Sequence, residues 1–394
     1  MWVRGTIVRA AAAAGLAVLL GAGGARAAAA GFPRAGHPPS VASAAVISVS
    51  PTGTDSATCG ASTSPCATIN QAITNAPANG TVLVAPGIYK QQVVLTKPLT
   101  LTADNAVVDA SGLSSGSGQT LDAAAILLTA AASGSTVEGF AVHGALGEGI
   151  LVMGAQDVRI ANNFVSGNDL GTPATTTYAE CQAQGQVPGD CGEGIHLMSA
   201  TNSTVTNNRV ADNSGGILLT DELGPATRNR IIGNVVDGNL FDCGVTLASH
   251  STTALTSSGA RQPAKGGVFA NLVQDNIVAD NGTLGSGAGV LIAAAVAGGA
   301  SYANVVSHNL IEGNGQAGIT IHAHATPQDL SGNVLTDNLI GTNNLAGDPD
   351  AKVSATTGIL VFSSGPAVSV TIRKNTIVGN SRPIAASSNV TITR

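Results

Sequence analysis

The sequence predicts an all-β fold, a single chain wound into a parallel β-helix of about nine to ten coils with a short N-terminal capping helix. Three observations carry that expectation. Asparagine is followed five residues later by asparagine in seven segments: Asn163/Asn168, Asn208/Asn213, Asn234/Asn239, Asn276/Asn281, Asn309/Asn314, Asn338/Asn343 and Asn375/Asn380. Two places after the first asparagine the residue is β-branched (Val165, Val210, Val236), and three places before it the residue is aliphatic (Ile160, Val205, Ile231), with the same rule in the later segments. A second series opens on Gly149, Gly194, Gly216, Gly244, Gly289, Gly318 and Gly358, each with aliphatic residues one and three places on. The composition agrees, since 44% of the 394 residues are hydrophobic, only 3% are aromatic and 50 are glycine. A core of stacked Val, Ile and Leu needs few rings.

The elements follow in order. Arg4 and Arg9, the apolar stretch 10–25 and the small residues at Ala25-Arg26-Ala27 read as a signal peptide over 1–27. An uncleaved anchor is the alternative reading, and beyond this stretch no apolar run is long enough to span a membrane. Residues 28–46 read as a flexible leader, and 47–394 as the β-helix domain. Export permits disulfides, and the simplest partition pairs Cys59 with Cys66 and Cys181 with Cys191, leaving Cys243 as a small buried hydrophobe or a free thiol. Ser64 is the expected N-cap and Pro65 the first residue of the capping helix, with Ile69, Ala72, Ile73 and Ala76 as its apolar stripe.

Asn79-Gly80 ends that element, and two coils over 81–112 and 126–144 precede the regular repeats. Each glycine-led segment alternates inward and outward residues and is therefore a strand with one buried face. The asparagine-flanked segments are two further strands meeting at a tight corner. Asparagine suits the corner because it tolerates left-handed backbone, and its amide can bond to the amide one coil away. The segment beginning at Val390 is a last partial strand.

A low charge content (10%) with many aliphatics excludes a disordered chain. A net charge of −6 without a basic cluster argues against a nucleic-acid partner.

The run ATINQAITNAPANGTVLVAPGIYKQQVVLTKPLTL, followed by N-x-V/I-x-x-N coils, resembles the pectin-lyase-like right-handed parallel β-helix superfamily, in particular the repeat proteins grouped with the periplasmic maturation factor NosD. The resemblance covers about 47–394. It implies right-handed winding and a secreted or cell-envelope location, but hosts of this fold include lyases, hydrolases, epimerases and binding proteins. The Arg-x-Pro-x-x-Arg of pectate lyases, the Asp-Pro-His-Asp of alginate epimerases and the acidic triplets of polygalacturonase-like hydrolases are all missing.

A regular column has no concavity, so chemistry is expected at insertions. The spacing between the two series is longest at 169–192, 250–270 and 343–357. The first two flank the glycine-led sheet, which makes a groove over Gly194, Gly216 and Gly244 the expected site. Its catalytic candidates are Glu193, His196, Asp221, Asp242 and Lys265. Hydrolysis of a glycosidic bond needs two carboxyl groups about 5–9.5 Å apart, for which Glu193/Asp221 or Asp221/Asp242 qualify by coil spacing. A lyase or epimerase needs a base and a cation, for which His196 with Lys265 or Arg261 qualify.

The scarcity of sugar-stacking rings beyond Tyr89, Tyr178 and Tyr302 weighs against this reading, as do the outward Leu151, Met153, Met198, Leu218 and Leu291. His322 and His324 stand two apart on a strand, face one way, and suit copper or zinc, although the sequence places no third ligand beside them. No cofactor is identified. The expected function is action on, or binding of, an extracellular polysaccharide. The alternatives are a non-catalytic envelope or adhesive protein and a NosD-like metal-linked scaffold.

Overall fold

The computed structural model describes residues 45–113, 124–168, 192–285 and 287–394. The expected signal peptide, nearly all of the leader and the Cys181–Cys191 pair lie outside the described residues. Within them, the chain winds as a parallel β-helix. One sheet contains ten strands, from Val93–Leu95 at one end through Glu193–Met198, Gly215–Thr220 and Val245–Ser249 to Arg382–Ala386 at the other. A second sheet of twenty strands holds the two asparagine-flanked stacks, and a small third sheet joins Ala226–Thr227, Val268–Phe269 and Ser301–Tyr302.

Stacking is in register. Val205 lies opposite Ile160 on one side and Ile231 on the other, and Val210 lies opposite Val165 and Val236. All six are fully buried. Each such side chain contributes about 1.5–3 kcal/mol on leaving water, and a column of them is the core. Among the described residues, no helix is long and apolar enough to cross a membrane.

The glycine series has a steric cause. A Cβ on Gly194 would stand 2.3 Å from Val210 Cγ1, and one on Gly244 would stand 2.3 Å from Val278 Cγ1 and 2.8 Å from Asn281 Nδ2. The strand therefore starts flush against the β-branched residue and the corner asparagine of its own coil, and no side chain fits between them.

The asparagines form continuous ladders. In every step but the last, Asn343 to Asn380, the Oδ1 of one asparagine accepts from both the backbone N–H and the Nδ2 of its counterpart in the preceding coil, as Asn234 Oδ1 does from Asn208 (2.9 and 3.0 Å). The left-handed corner residue is not the ladder asparagine but the one before it: Asn162, Asn207, Asp275, His308, Asp337 and Lys374 have φ of 54–57°. The ladder side chain must point inward to meet its neighbours, and the preceding residue takes the turn.

A third ladder runs through Asn229, Asn271, Asn304 and Asn333, five residues ahead of the first, and it was not anticipated. The five-residue spacing already visible downstream extends to it.

At the N-terminal end the strand Val46–Val49 pairs with Gly80–Val84, and the cap is the helix Ile69–Asn75. Its N-cap is Thr68, whose side chain accepts from the Gln71 N–H, and not Ser64. Ser64 and Pro65 belong instead to a loop fixed by the Cys59–Cys66 disulfide, in which the Gly60 N–H donates to the Ser64 carbonyl. Ile69, Ala72 and Ile73 are the buried face, as the apolar stripe indicates. Cys243 is free and buried, and burial foremost, with Asp242 beside it, pushes its thiol well above the usual range.

The ladders give a direct test. Asn276 accepts from the N–H (2.9 Å) and Nδ2 (3.0 Å) of Asn234 and donates to the Ile231 carbonyl (2.9 Å) and Asn309 Oδ1 (2.9 Å). Asn276→Ala strands these partners in the interior and is expected to cost about 3–5 kcal/mol, read as a lower denaturant midpoint. A change below about 1 kcal/mol, the size of an ordinary single hydrogen bond, contradicts the structural role of the ladder.

Candidate functional site

On the outer face of the ten-stranded sheet, the strand Glu193–Met198 carries both Glu193 and His196. Ile195 and Leu197 turn to the core, so His196 and Met198 face outward. His196 Nε2 lies 2.8 Å from Thr220 Oγ1 in the next coil, and Nδ1 lies 3.3 Å from Glu148 Oε1, which enters just ahead of the strand Ile150–Met153. Glu148, Glu193 and His196 each present a ligating atom within 4.8 Å of the other two. Glu193 also borders Gly215, where an added Cβ would stand 3.2 Å from Glu193 Cγ and 3.3 Å from Asp242 Cβ. The absence of a side chain at Gly215 lets the acidic residues of the flanking coils approach.

This centre is not an open groove. Glu148, Glu193 and His196 are 4%, 2% and 4% exposed. Beside them Leu127, Leu151 and Met198 form a second apolar cluster on the outer face, against which Val94 and Met153 pack. Of the outward aliphatics, Leu151, Met153 and Met198 pack together in this cluster.

Asp221 has a different setting. It is fully buried where the strand Gly215–Thr220 ends, and its carboxylate gathers the far insertion. Oδ1 accepts from the N–H of His250 (2.6 Å) and Ser251 (3.0 Å), and Oδ2 accepts from Ser249 Oγ (2.8 Å) and the Gly267 N–H. Burial raises the Asp221 carboxyl above its usual range despite these four donors. One carboxylate thus ties both ends of the 250–267 loop to the column.

Next to it, Glu222 Oε1 lies 2.7 Å from His250 Nδ1. Burial would raise the Glu222 carboxyl, but the hydrogen bond and charge of His250 outweigh it, with help from His196 and Thr220, and hold it at about 2. Lys265 is exposed on the same loop. Arg261 lies over the Tyr302 ring at 3.8 Å and donates to Asp329 Oδ2 (2.6 Å), which packs it along the loop's flank.

His322 and His324 stand on and just beyond the strand Ile319–Ala323, with ring centroids 5.2 Å apart. The 343–357 insertion brings Asp348 and Asp350 to them. Sequence spacing along one strand could not show these two aspartates, because they come from a different coil.

The Glu222–His250 pair predicts a pH dependence. The folded pKa lies below the ordinary 4.5, so the unfolded chain binds more protons in this range. The stabilisation is complete above about pH 5 and is lost as pH falls toward 2. The stability difference between the parent and Glu222→Gln, followed by denaturation from pH 6 to pH 2, is expected to shrink steadily. A difference that stays constant over that range contradicts the pairing.

A family model described as "Right handed beta helix region" matches residues 122–327 and 264–394. No curated protein matches the sequence. Among solved structures the chain is similar to an alginate lyase from Paenibacillus sp. str. FPU-7, at 14% identity and a TM-score of 0.53, over 88% of this chain and 99% of that one. It is also similar to the Dettilon tailspike protein, at 15% identity and a TM-score of 0.54, over 84% of this chain and 62% of that one. At such identities the likeness is one of fold. The family match spans more than half of the sequence and fixes the winding as right-handed: this chain belongs to the right-handed β-helix family.

Proposed function

We propose that this protein is exported and cleaves an extracellular polysaccharide by acid–base chemistry at the Glu148–Glu193–His196 centre. The observation that carries the reading is the convergence of two carboxyl groups and an imidazole, drawn from neighbouring coils, within 4.8 Å of one another on the sheet's outer face. Groups of these types, so close together, are what proton transfer to and from a glycosidic oxygen or a uronate carbon requires. The Cys59–Cys66 disulfide suits an oxidising compartment. Similarity to an alginate lyase over nearly all of that chain agrees with a sugar polymer as substrate.

The roles follow from the contacts. Glu193 is the carboxyl acid/base. His196 is the second proton carrier, held at Nδ1 by Glu148 and at Nε2 by Thr220. Asp242, close to Gly215, extends the acidic side, and Lys265, exposed on the loop, is placed to meet an anionic sugar. Asp221 is assigned to anchoring that loop because three of its four donors, His250, Ser251 and Gly267, belong to it and the fourth, Ser249, ends the strand before it.

If the reaction is hydrolysis, the Glu148–Glu193 approach favours retention, since inversion needs carboxyl groups about 6.5–9.5 Å apart. The second reading, a rigid non-catalytic envelope protein, is favoured by the low exposure of the same three residues.

Screening against uronate-containing and neutral polysaccharides, with absorbance of unsaturated products and reducing ends as readouts, separates the two. Activity is expected, and Glu193→Gln and His196→Ala are each expected to lower kcat by about 10²–10⁴-fold. Activity that survives both substitutions removes the assigned centre. No turnover of any polymer by the folded parent favours the second reading.

A further inference from the structure

A separate group of side chains lies four strand spacings along the same sheet, about 19 Å from the His196 coil. On the strand Ile319–Ala323, Ile319 and Ile321 point into the core and His322 points outward. The chain then turns. Gln328 Oε1 accepts from the N–H of His324 (2.8 Å) and Ala325 (3.0 Å), while its Nε2 donates to the Ala294 carbonyl (2.8 Å). Ser364 Oγ donates to the His324 carbonyl (3.0 Å). Both imidazoles are therefore carried on fixed backbone.

The 343–357 insertion folds back over them. Asp348 and Val353 exchange backbone hydrogen bonds (2.8 and 2.9 Å), and Asn344 Nδ2 donates to the Val353 carbonyl (2.9 Å). Val353 buries against a cluster with Ala317 and Leu360. Asp348 and Asp350 are thus held at a fixed tip above the histidines. His322, His324 and Asp350 bring their ligating atoms within 4.8 Å of one another.

A buried carboxylate orients the first of these imidazoles. His322 Nε2 and Asp348 Oδ2 lie 2.9 Å apart in the interior, so this carboxylate is the polar partner of one ring nitrogen and fixes the orientation of the imidazole. The other Asp348 oxygen is satisfied by the Ala351 N–H (2.8 Å).

We propose that His322, His324 and Asp350 bind one divalent first-row transition ion of the Zn²⁺ class, with Asp348 holding the His322 ring in place. Two imidazoles with a carboxylate suit such an ion, whereas Ca²⁺ and Mg²⁺ prefer all-oxygen sets. His324 and Asp350 are exposed, so the ion enters from the solvent side, while the buried His322 holds it from below. Bound there, it clips the 343–357 insertion to the column. The site is independent of the polysaccharide reading.

The test is titration of Zn²⁺ into the chelator-treated full chain by calorimetry, with Ca²⁺ as the comparison. One Zn²⁺ per chain, at micromolar affinity or tighter, and no comparable Ca²⁺ binding are expected. His322→Gln with His324→Gln is expected to weaken Zn²⁺ at least 100-fold, and Asp350→Asn about 10- to 100-fold. Saturating Zn²⁺ should also raise the parent's Tm and slow proteolytic cleavage within 343–357, and should do neither in the double-histidine variant. Absence of stoichiometric Zn²⁺ binding by the parent overturns the proposal. So does undiminished binding by a double-histidine variant whose circular dichroism matches the parent.

Discussion

Register between stacked coils is the constraint on which everything else depends. A strand in this column pairs with the coil before and the coil after, so a slip of one residue would turn the whole inward set outward. The structure resists that slip in two ways. Val205 meets Ile160 and Ile231, so apolar side chains lie over their own kind. Each ladder asparagine then bonds to the backbone and the side chain of its counterpart, a geometry available only when the two corners lie directly over each other. The apolar stacks supply most of the stability, and the amide ladders fix which residue lies over which.

A column fixed in this way decides where chemistry can be. Inward positions are filled, so functional groups are confined to outward positions and to the insertions that fold over them. The outer face of the ten-stranded sheet carries two polar centres on that scaffold. One combines side chains of adjacent coils, with Glu148 and Thr220 holding the two nitrogens of His196. The other needs an insertion as well as a strand, since Asp348 and Asp350 reach His322 and His324 from the 343–357 segment. Between them, Asp221 shows a third use of a buried carboxylate, with three donors of one loop and the strand residue before it converging on it.

Most of the fold is legible in the sequence because it repeats. The inward aliphatic positions, the strand-leading glycines and two asparagine ladders follow from spacing alone, and each proves to have a contact behind it, such as the crowding of Gly244 by Val278. Two readings needed coordinates. The left-handed residue is the neighbour of the ladder asparagine, which sequence cannot distinguish when both are asparagine, as at Asn162-Asn163. The helix N-cap moved to Thr68 because the Cys59–Cys66 bridge fixes the preceding loop, a long-range constraint that overrides local capping preference. The candidate sites are less legible. His196 and Glu193 are readable as outward or entry polar residues, but the partnership with Glu148 depends on which residues come into contact across coils. Asp221 reads as a free acid until the loop around it is seen.

The most direct measurement is a crystal structure of Glu193→Gln soaked with an oligosaccharide of whichever polymer the parent cleaves or binds. The account predicts sugar on the outer face of the ten-stranded sheet. A glycosidic oxygen or reacting carbon should lie within about 2.6–3.2 Å of the residue 193 side chain or His196 Nε2, after displacement of the Thr220 contact. Sugar bound along the asparagine corners or at the column's end, with His196 still held between Glu148 and Thr220, would contradict it.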